Sequence, residues 1–369
     1  MEKRMNGVLF LYLKAFDATG GIEKVNRTLM KALHDLHLEH HTPVQVISPY
    51  ENKPDERYFP KESFTGYGGN RWHFMADMVL KNHSADYLLV GHVNLAPAAL
   101  ILQKKYPHLK TAVVTHGIEV WKPLSGWKRR FLQQAHHIIA VSRFTAEKLV
   151  AVHGIGAEKI SVLPNCLDPF FKFPDNFSKP DYLLRRYDLR PEQPVLLTIA
   201  RLHARESCKG YVHVLTCLPG LLLQYPGLRY ILAGKYDETE HRRLNSRIRD
   251  LGLESRVLLP GYIPDEELGD HYRLADVFVM PSKKEGFGLV FIEALACGTP
   301  AVAGNADGSA EALQDGRLGL LVDPDDQASI AGAIRQSLQN PGDPAERQQA
   351  VKQFFNYPDY KARLGKILL

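Results

Sequence analysis

The stretch from Asp276 to Val302 limits what this chain can fold into more than any other. Asp276-Val-Phe-Val-Met280 is a nearly continuous apolar run, as expected of a strand buried on both faces. Pro281-Ser-Lys-Lys-Glu-Gly-Phe-Gly288 follows as a loop with two glycines, Gly286 and Gly288. A helix is expected from about Leu289 to Cys297. Gly298-Thr-Pro300 stops it, and Ala301-Val302 opens the next apolar run. The N–H groups of Gly288, Leu289 and Val290 then lie at a helix N-terminus, a natural cradle for phosphate. Glu285 precedes the cradle and Glu293 lies eight residues later. That spacing suits a site holding a phosphate with hydroxyl-rich groups beside it. It suits equally an ordinary strand–loop–helix with a solvated Glu at each end.

The same rhythm runs through the rest of the chain. Val8–Leu13 is an apolar run followed by Asp17-Ala-Thr-Gly-Gly21 and a helical pattern from Ile22 to about Leu38. Strands are expected at Pro43–Ser48, Ala85–Gly91, Thr111–His116, His137–Ser142 and Ile160–Leu163, whereas residues 50–72 read as polar and irregular. Residues 168–193, with three prolines between Asp168 and Pro180, break the rhythm and read as a domain linker. A second series follows, with strands at Pro194–Ala200, Arg229–Ala233, Arg256–Leu259, Asp276–Met280, Pro300–Ala303 and Gly319–Val322. The final segment, Pro344–Leu369, is amphipathic and helical, broken near Asn356-Tyr-Pro358. A length of 369 residues is too great for one compact core. Strands alternating with helices imply parallel βαβ units, so the fold class is α/β. Two doubly wound domains in tandem are expected, with a cleft lined by the C-terminal ends of their strands.

Charge is unevenly spread. Residues 1–180 hold 23 Lys and Arg against 16 Asp and Glu, and residues 181–369 hold 23 against 25. Twelve of the 16 histidines also fall in the first half, so that half is the one expected to meet an anion. Nucleic acid, a membrane surface or a phosphorylated acceptor would each suit, and chance in a soluble protein would also produce such an excess. Cys166, Cys208, Cys217 and Cys297 show neither C-x-x-C pairing nor zinc-like spacing and read as reduced, mostly buried thiols of a cytoplasmic protein. The apolar start of the chain is short, closed by Lys14 and without a small-residue cleavage site. It reads as a first strand rather than a leader.

Strand ends are where ligands bind in such sheets, which singles out four more positions. Gly20-Gly21 permits close approach of backbone to a ligand, and His116 ends a strand. Arg201 ends the first strand of the second series, and Lys209-Gly210 follows at the next helix. Singly these are a turn, a structural histidine and two surface charges. Together, opposite a helix N-terminus, Arg201 and Lys209 could clamp a diphosphate.

Pro281–Val302, with Glu-x7-Glu around Gly-Phe-Gly-Leu-Val, resembles the signature of the family 4 retaining nucleotide-sugar glycosyltransferases. Ala200-Arg-Leu202 with Lys209-Gly210 resembles their Gly-Arg-Leu…Lys-Gly element, with Ala200 in place of Gly. Pro164-Asn-Cys-Leu-Asp168 resembles Pro-Asn-Gly-Val-Asp, with Cys166 in place of Gly. Leu259-Pro-Gly-Tyr-Ile263 resembles their base-binding loop, and Val141-Ser-Arg-Phe144 and Gly20-Gly21 also fit. The resemblance implies the GT-B fold, with a donor-binding domain at 176–344 and an acceptor-side domain at 1–175 completed by about 345–369. It implies that Arg201 and Lys209 hold the diphosphate, with the loop and helix start Gly286, Phe287, Gly288, Leu289 and Val290. Glu293 would then hold the ribose, and Tyr262 and Ile263 the base. Glu285 and His116 would contact the donor sugar at the reacting carbon, and Gly20 and Gly21 would face the diphosphate.

The implied reaction is retaining transfer of a hexose from a UDP- or GDP-sugar to a saccharide, lipid-linked or other hydroxyl acceptor, with no cofactor and no metal. Asp323-Pro-Asp325, the one Asp-x-Asp, reads as a turn and helix N-cap. An epimerase or phosphorylase of the same fold, or a nucleotide-sugar binding protein without turnover, are the alternatives. Nucleic acid is not an expected partner. Gly126-Trp-Lys-Arg-Arg-Phe-Leu132 interleaves aromatic and basic residues on an expected helix. Trp127, Lys128, Arg129 and Arg130 could thus rest on an anionic membrane at the inner face of the cell, or form an exposed basic face with Trp127 and Phe131 packed inward.

Overall fold

The structure, a computed structural model, describes residues 7–368, without the side chains of residues 205–207. The chain forms two units, Met1–Phe170 with Asn356–Leu369, and Phe171–Phe355.

The first unit runs β1 (Val8–Leu11), α1 (Gly21–His40), β2 (Val44–Ser48), β3 (Phe64–Gly66), α2 (Arg71–Leu80) and β4 (Tyr87–Val90). It continues through α3 (Ala96–Lys105), β5 (Lys110–Thr115), α4 (Gly126–Gln134), β6 (His137–Ala140), α5 (Arg143–His153) and β7 (Ile160–Val162). The strands form one parallel sheet in the order β3-β2-β1-β4-β5-β6-β7. Residues 50–72 are therefore not wholly irregular. Phe64–Gly66 pairs with β2 at the sheet edge in the register Val46↔Phe64, and α2 begins at Arg71. Three residues are too few to display an alternation, and edge pairing is decided by the neighbouring strand rather than by local pattern.

The second unit runs α6 (Asp181–Arg186), β8 (Val195–Ile199), α7 (Tyr211–Leu222), β9 (Arg229–Ala233), α8 (Glu238–Asp250), β10 (Val257–Gly261) and α9 (Asp265–Leu274). Then come β11 (Val277–Met280), α10 (Leu289–Ala296), β12 (Ala301–Gly304), α11 (Ser309–Ala312), β13 (Leu320–Val322), α12 (Gln327–Gln339) and α13 (Pro344–Phe354). Its parallel sheet has the order β10-β9-β8-β11-β12-β13. The last helix, α14 (Tyr357–Leu368), belongs to the first unit and packs on α1. Tyr357 there donates to Asp35 at 2.7 Å, and Lys361 pairs with Glu39.

Strand order decides where a ligand can enter. Each sheet winds outward in both directions from its first strand, so helices leave that strand and its neighbour on opposite faces and a crevice opens above their C-terminal ends. In the first unit this switch lies between β1 and β4. In the second it lies between β8 and β11, which brings the loop after β8, carrying Arg201 and Lys209, beside the loop after β11, carrying Glu285 to Gly288.

Candidate active site

In the second unit the two switch-point loops touch. Lys283 N–H donates to the Cys208 carbonyl at 2.9 Å. Gly210, at φ +80, lies so near that a β-carbon there would stand 2.1 Å from the Pro281 carbonyl oxygen. This close approach carries the Lys209 ammonium onto the Glu285 carboxylate as an ion pair, with both side chains largely buried. Beside them α10 begins at Leu289 with no side chain capping its N-terminus. A cation, a carboxylate and open helical N–H groups therefore converge within one loop pair.

The loop is held from beneath by Asp307, which follows β12. Its Oδ2 accepts from Ser282 Oγ at 2.6 Å and from Glu285 N–H at 2.7 Å, and its Oδ1 accepts from Ser309 N–H at 2.9 Å. Gly308 N–H donates to the Glu285 carbonyl at 2.9 Å. Burial raises the Asp307 carboxyl to about 6, against the lowering effect of these hydrogen bonds. Gly288 adopts φ +88, and a β-carbon there would meet the Phe291 ring at 2.5 Å, so the turn into α10 needs glycine.

In the first unit the loop after β1 is organised by a fully buried carboxylate, Glu51. Its Oε1 accepts from the N–H groups of Ala15 at 2.7 Å, Phe16 at 2.5 Å and Asp17 at 3.0 Å, and its Oε2 accepts from the Tyr12 hydroxyl. Burial and the neighbouring Glu51 charge hold the Tyr12 proton far more tightly than usual. Gly20 and Gly21 then lead into α1, whose N-terminus likewise has no side-chain cap.

His116 follows β5. Its Nε2 lies 2.7 Å from the Gly91 carbonyl oxygen, an acceptor only, so Nε2 carries the proton and Nδ1 is left for another partner. His92 stacks against it with ring centroids 6.1 Å apart. Burial, then the neighbouring His116 and Lys128, lower His92 to about 3, and its Nδ1 accepts from Asn94 N–H at 3.0 Å, so this ring is neutral.

The sequence that builds these loops matches known family models. Residues 183–354 match the model of glycosyl transferases group 1, and residues 19–170 match that of glycosyltransferase family 4. The chain belongs to the group 1, family 4 glycosyltransferases. A GDP-mannose-dependent alpha-(1-6)-phosphatidylinositol monomannoside mannosyltransferase of Mycolicibacterium smegmatis is 33% identical over 262 residues, 67% of this chain and 66% of that protein. A D-inositol 3-phosphate glycosyltransferase of Acidothermus cellulolyticus is 32% identical over 237 residues, 61% of this chain and 51% of that protein. The chain thus spans between about half and two thirds of the length of these curated relatives. Among solved structures, a glycosyltransferase of Rickettsia africae superposes with a TM-score of 0.77 at 17% identity, covering 98% of this chain and 97% of that one. HepE of Anabaena, crystallised with UDP and glucose, gives 0.73 at 21% identity, covering 97% and 98%. These neighbours share the GT-B fold of two Rossmann-like domains.

Within this member of the family the residues singled out by sequence take unequal positions. Glu285, Lys209, Gly286, Gly288, Leu289 and Val290 lie together at the start of α10, and Arg201 is exposed just past β8. Glu293 is buried in α10, where the Tyr272 hydroxyl donates to its Oε2 at 3.0 Å. The Phe287 ring faces inward onto Phe355, so only its backbone borders the loop surface. Tyr262 is exposed beyond β10 with Lys235 over its ring, whereas Ile263 is buried. Asp323 and Asp325 form a turn, with Asp325 N–H donating to Asp323 at 2.9 Å and Asp325 pairing with Lys283. Asp326 caps α12. Sequence reasoning missed Glu51, His92 and Asp307. All three stand just past a strand's C-terminal end, the same signal that singled out His116 and Arg201.

Proposed function

We propose that this protein is a retaining, metal-independent hexosyltransferase. It would move a sugar from a nucleoside diphosphate sugar, with UDP or GDP as the nucleotide, to a saccharide or lipid-linked hydroxyl. The observation that carries this reading is the ion pair of Lys209 and Glu285 at the uncapped start of α10. The names of two relatives, one a GDP-mannose-dependent mannosyltransferase, support a nucleotide-sugar donor. Peripheral contact with an anionic membrane through Trp127, Lys128, Arg129 and Arg130 would suit a lipid-linked acceptor.

In the reaction the bond from anomeric carbon to phosphate oxygen breaks and its electron pair leaves with the diphosphate. Lys209, Arg201 and the N–H groups of Leu289 and Val290 stabilise that developing charge, the task a metal performs in other enzymes. Lys209 is poised for it, because the diphosphate can take over the ammonium that Glu285 holds beforehand. Glu285, once exchanged, accepts from sugar hydroxyls and steadies positive charge on the ring. The acceptor hydroxyl attacks from the face the diphosphate leaves, and its proton passes to the departing phosphate oxygen. His116 offers Nδ1 to a sugar hydroxyl, fixed in that tautomer by the Gly91 carbonyl.

The test is transfer by the Glu285→Ala and Lys209→Ala variants, with nucleotide binding followed by thermal shift against UDP, GDP and ADP. Each should lose ~100-fold or more in rate. Glu285→Ala should retain nucleotide binding, which separates a catalyst from a binding protein. Parental turnover in that variant, an inverted anomer in the product, or loss of activity to a chelator would each defeat the proposal.

A further inference from the structure

The first unit carries an apolar helix stripe on its outside. On α2 the buried face is Phe74 and Met78, which enter the core below the sheet. The opposite face presents Trp72 at 88% exposure, Ala76, Val79 at 51% and Leu80 at 76%. These fall at positions i, i+4, i+7 and i+8, a continuous stripe. A helix apolar on both sides is normally covered on both.

The helices beside it share one electrical character. The crossovers from β3 through β6 run in one direction across the sheet, so right-handed connections put α2, α3 and α4 side by side on one face. From Arg71 to Lys81 and through α3 and α4 there are seven Lys or Arg and a single carboxylate, Asp77. Asp77 is buried, paired with Lys81 at 2.5 Å and bonded by the Tyr67 hydroxyl at 2.6 Å, so it offers no charge to the outside. Lys105 lies across the end of the stripe, donating to the carbonyls of Val79 at 2.7 Å and Lys81 at 2.6 Å. On α4, Phe131 and Leu132 are buried, but Trp127 is 63% exposed. The inward packing that the sequence allowed for Trp127 does not occur.

We propose that the α2–α3–α4 face docks on an anionic lipid bilayer. The stripe of α2 lies in the interface, Trp72 and Trp127 sit at headgroup level, and Arg71, Lys104, Lys105, Arg129 and Arg130 meet the lipid phosphates. A bilayer is favoured over a second copy of the chain because the six cations beyond the Lys81–Asp77 pair, with no exposed acid on these helices, would repel themselves across a symmetric contact. Tryptophan with lysine and arginine is also the composition that suits a membrane interface. This goes beyond the membrane contact of α4 by adding the apolar anchor that basic residues alone do not supply. It does not rest on the transfer reaction.

The full chain is sedimented with phosphatidylcholine vesicles with or without phosphatidylglycerol, at low and high salt, with no donor or acceptor present. Binding should require phosphatidylglycerol and weaken with salt. Trp72→Ser/Leu80→Ser should weaken it by ~10-fold, and Arg129→Glu/Arg130→Glu by at least as much, at ~5-fold per cation. Both variants alter exposed side chains, and unchanged circular dichroism and melting show that they fold. No binding by the parent, or parental binding by the Trp72→Ser/Leu80→Ser variant, would overturn the proposal. So would a dimer that this variant abolishes in the absence of vesicle binding.

Discussion

Two of the loops that lead into helices without a side-chain cap are fixed by a buried carboxylate that belongs to a later strand end. After β1 the loop hangs on Glu51, which takes three consecutive backbone N–H groups on one oxygen. After β11 the loop hangs on Asp307, which takes one of its N–H groups and spends its other bonds on Ser282 and Ser309. The difference lies in what does the shaping. In the first loop the carboxylate sets the backbone, and Gly21 beyond it has open space where a β-carbon would stand. In the second, glycine sets the backbone and the carboxylate braces it. Burial nevertheless raises the Asp307 carboxyl, its desolvation outweighing the hydrogen bonds it accepts.

Removing Glu51 should therefore have the largest effect. Glu51→Ala leaves three N–H groups and the Tyr12 hydroxyl without their acceptor, a loss on the order of 4 kcal/mol. Glu51→Gln keeps an acceptor oxygen for the N–H groups and should cost about a third as much. Chemical denaturation of the two variants reads this directly, and a Glu51→Ala loss below ~1 kcal/mol would mean that the loop is held by something else.

Asp307 comes next, and its sign is opposite to that of most carboxylates. Its folded value of about 6 exceeds the ordinary 3.8, so between those limits the folded protein holds a proton that the unfolded chain has released. Stability therefore falls as pH rises from about 4 to about 6, and the deficit, on the order of 3 kcal/mol, is complete above that. Asp307→Asn should flatten this slope. Unfolding free energies at the two ends of the window check it, and a parent-minus-variant difference that does not change with pH would refute the assignment.

The fold was legible because buried parallel strands are short apolar runs and their helices carry clear stops, as at Gly298-Thr-Pro300. Glu285, Gly288 and Lys209 were legible because they sit at fixed distances from those strand ends. β3 was not, since three edge residues owe their conformation to β2. Glu51 and Asp307 were not, because each acts on a loop elsewhere in the sequence. Glu51 reads as one more charge in a polar segment until the sheet brings Ser48 and β1 together. Phe287 shows the converse limit. Its place in a motif does not say which way its ring points, and the ring points into the core.

The glycines give the smallest effects and the sharpest contrast. Gly288→Ala forces a side chain into φ +88 and against Phe291, which should cost ~1–3 kcal/mol and weaken nucleotide binding with it. Gly21 is different: it opens α1 with nothing within 4 Å of where a β-carbon would stand, and its backbone is already helical. Alanine there should raise stability slightly, by ~0.5 kcal/mol, through the lower entropy of the unfolded chain. If Gly21 is glycine for the sake of a ligand, the same variant should show a higher KM for the sugar nucleotide while melting no lower than the parent. A Gly21→Ala protein with parental kinetics would make that glycine a mere turn, and would place the proposed anion contact at α10 rather than α1.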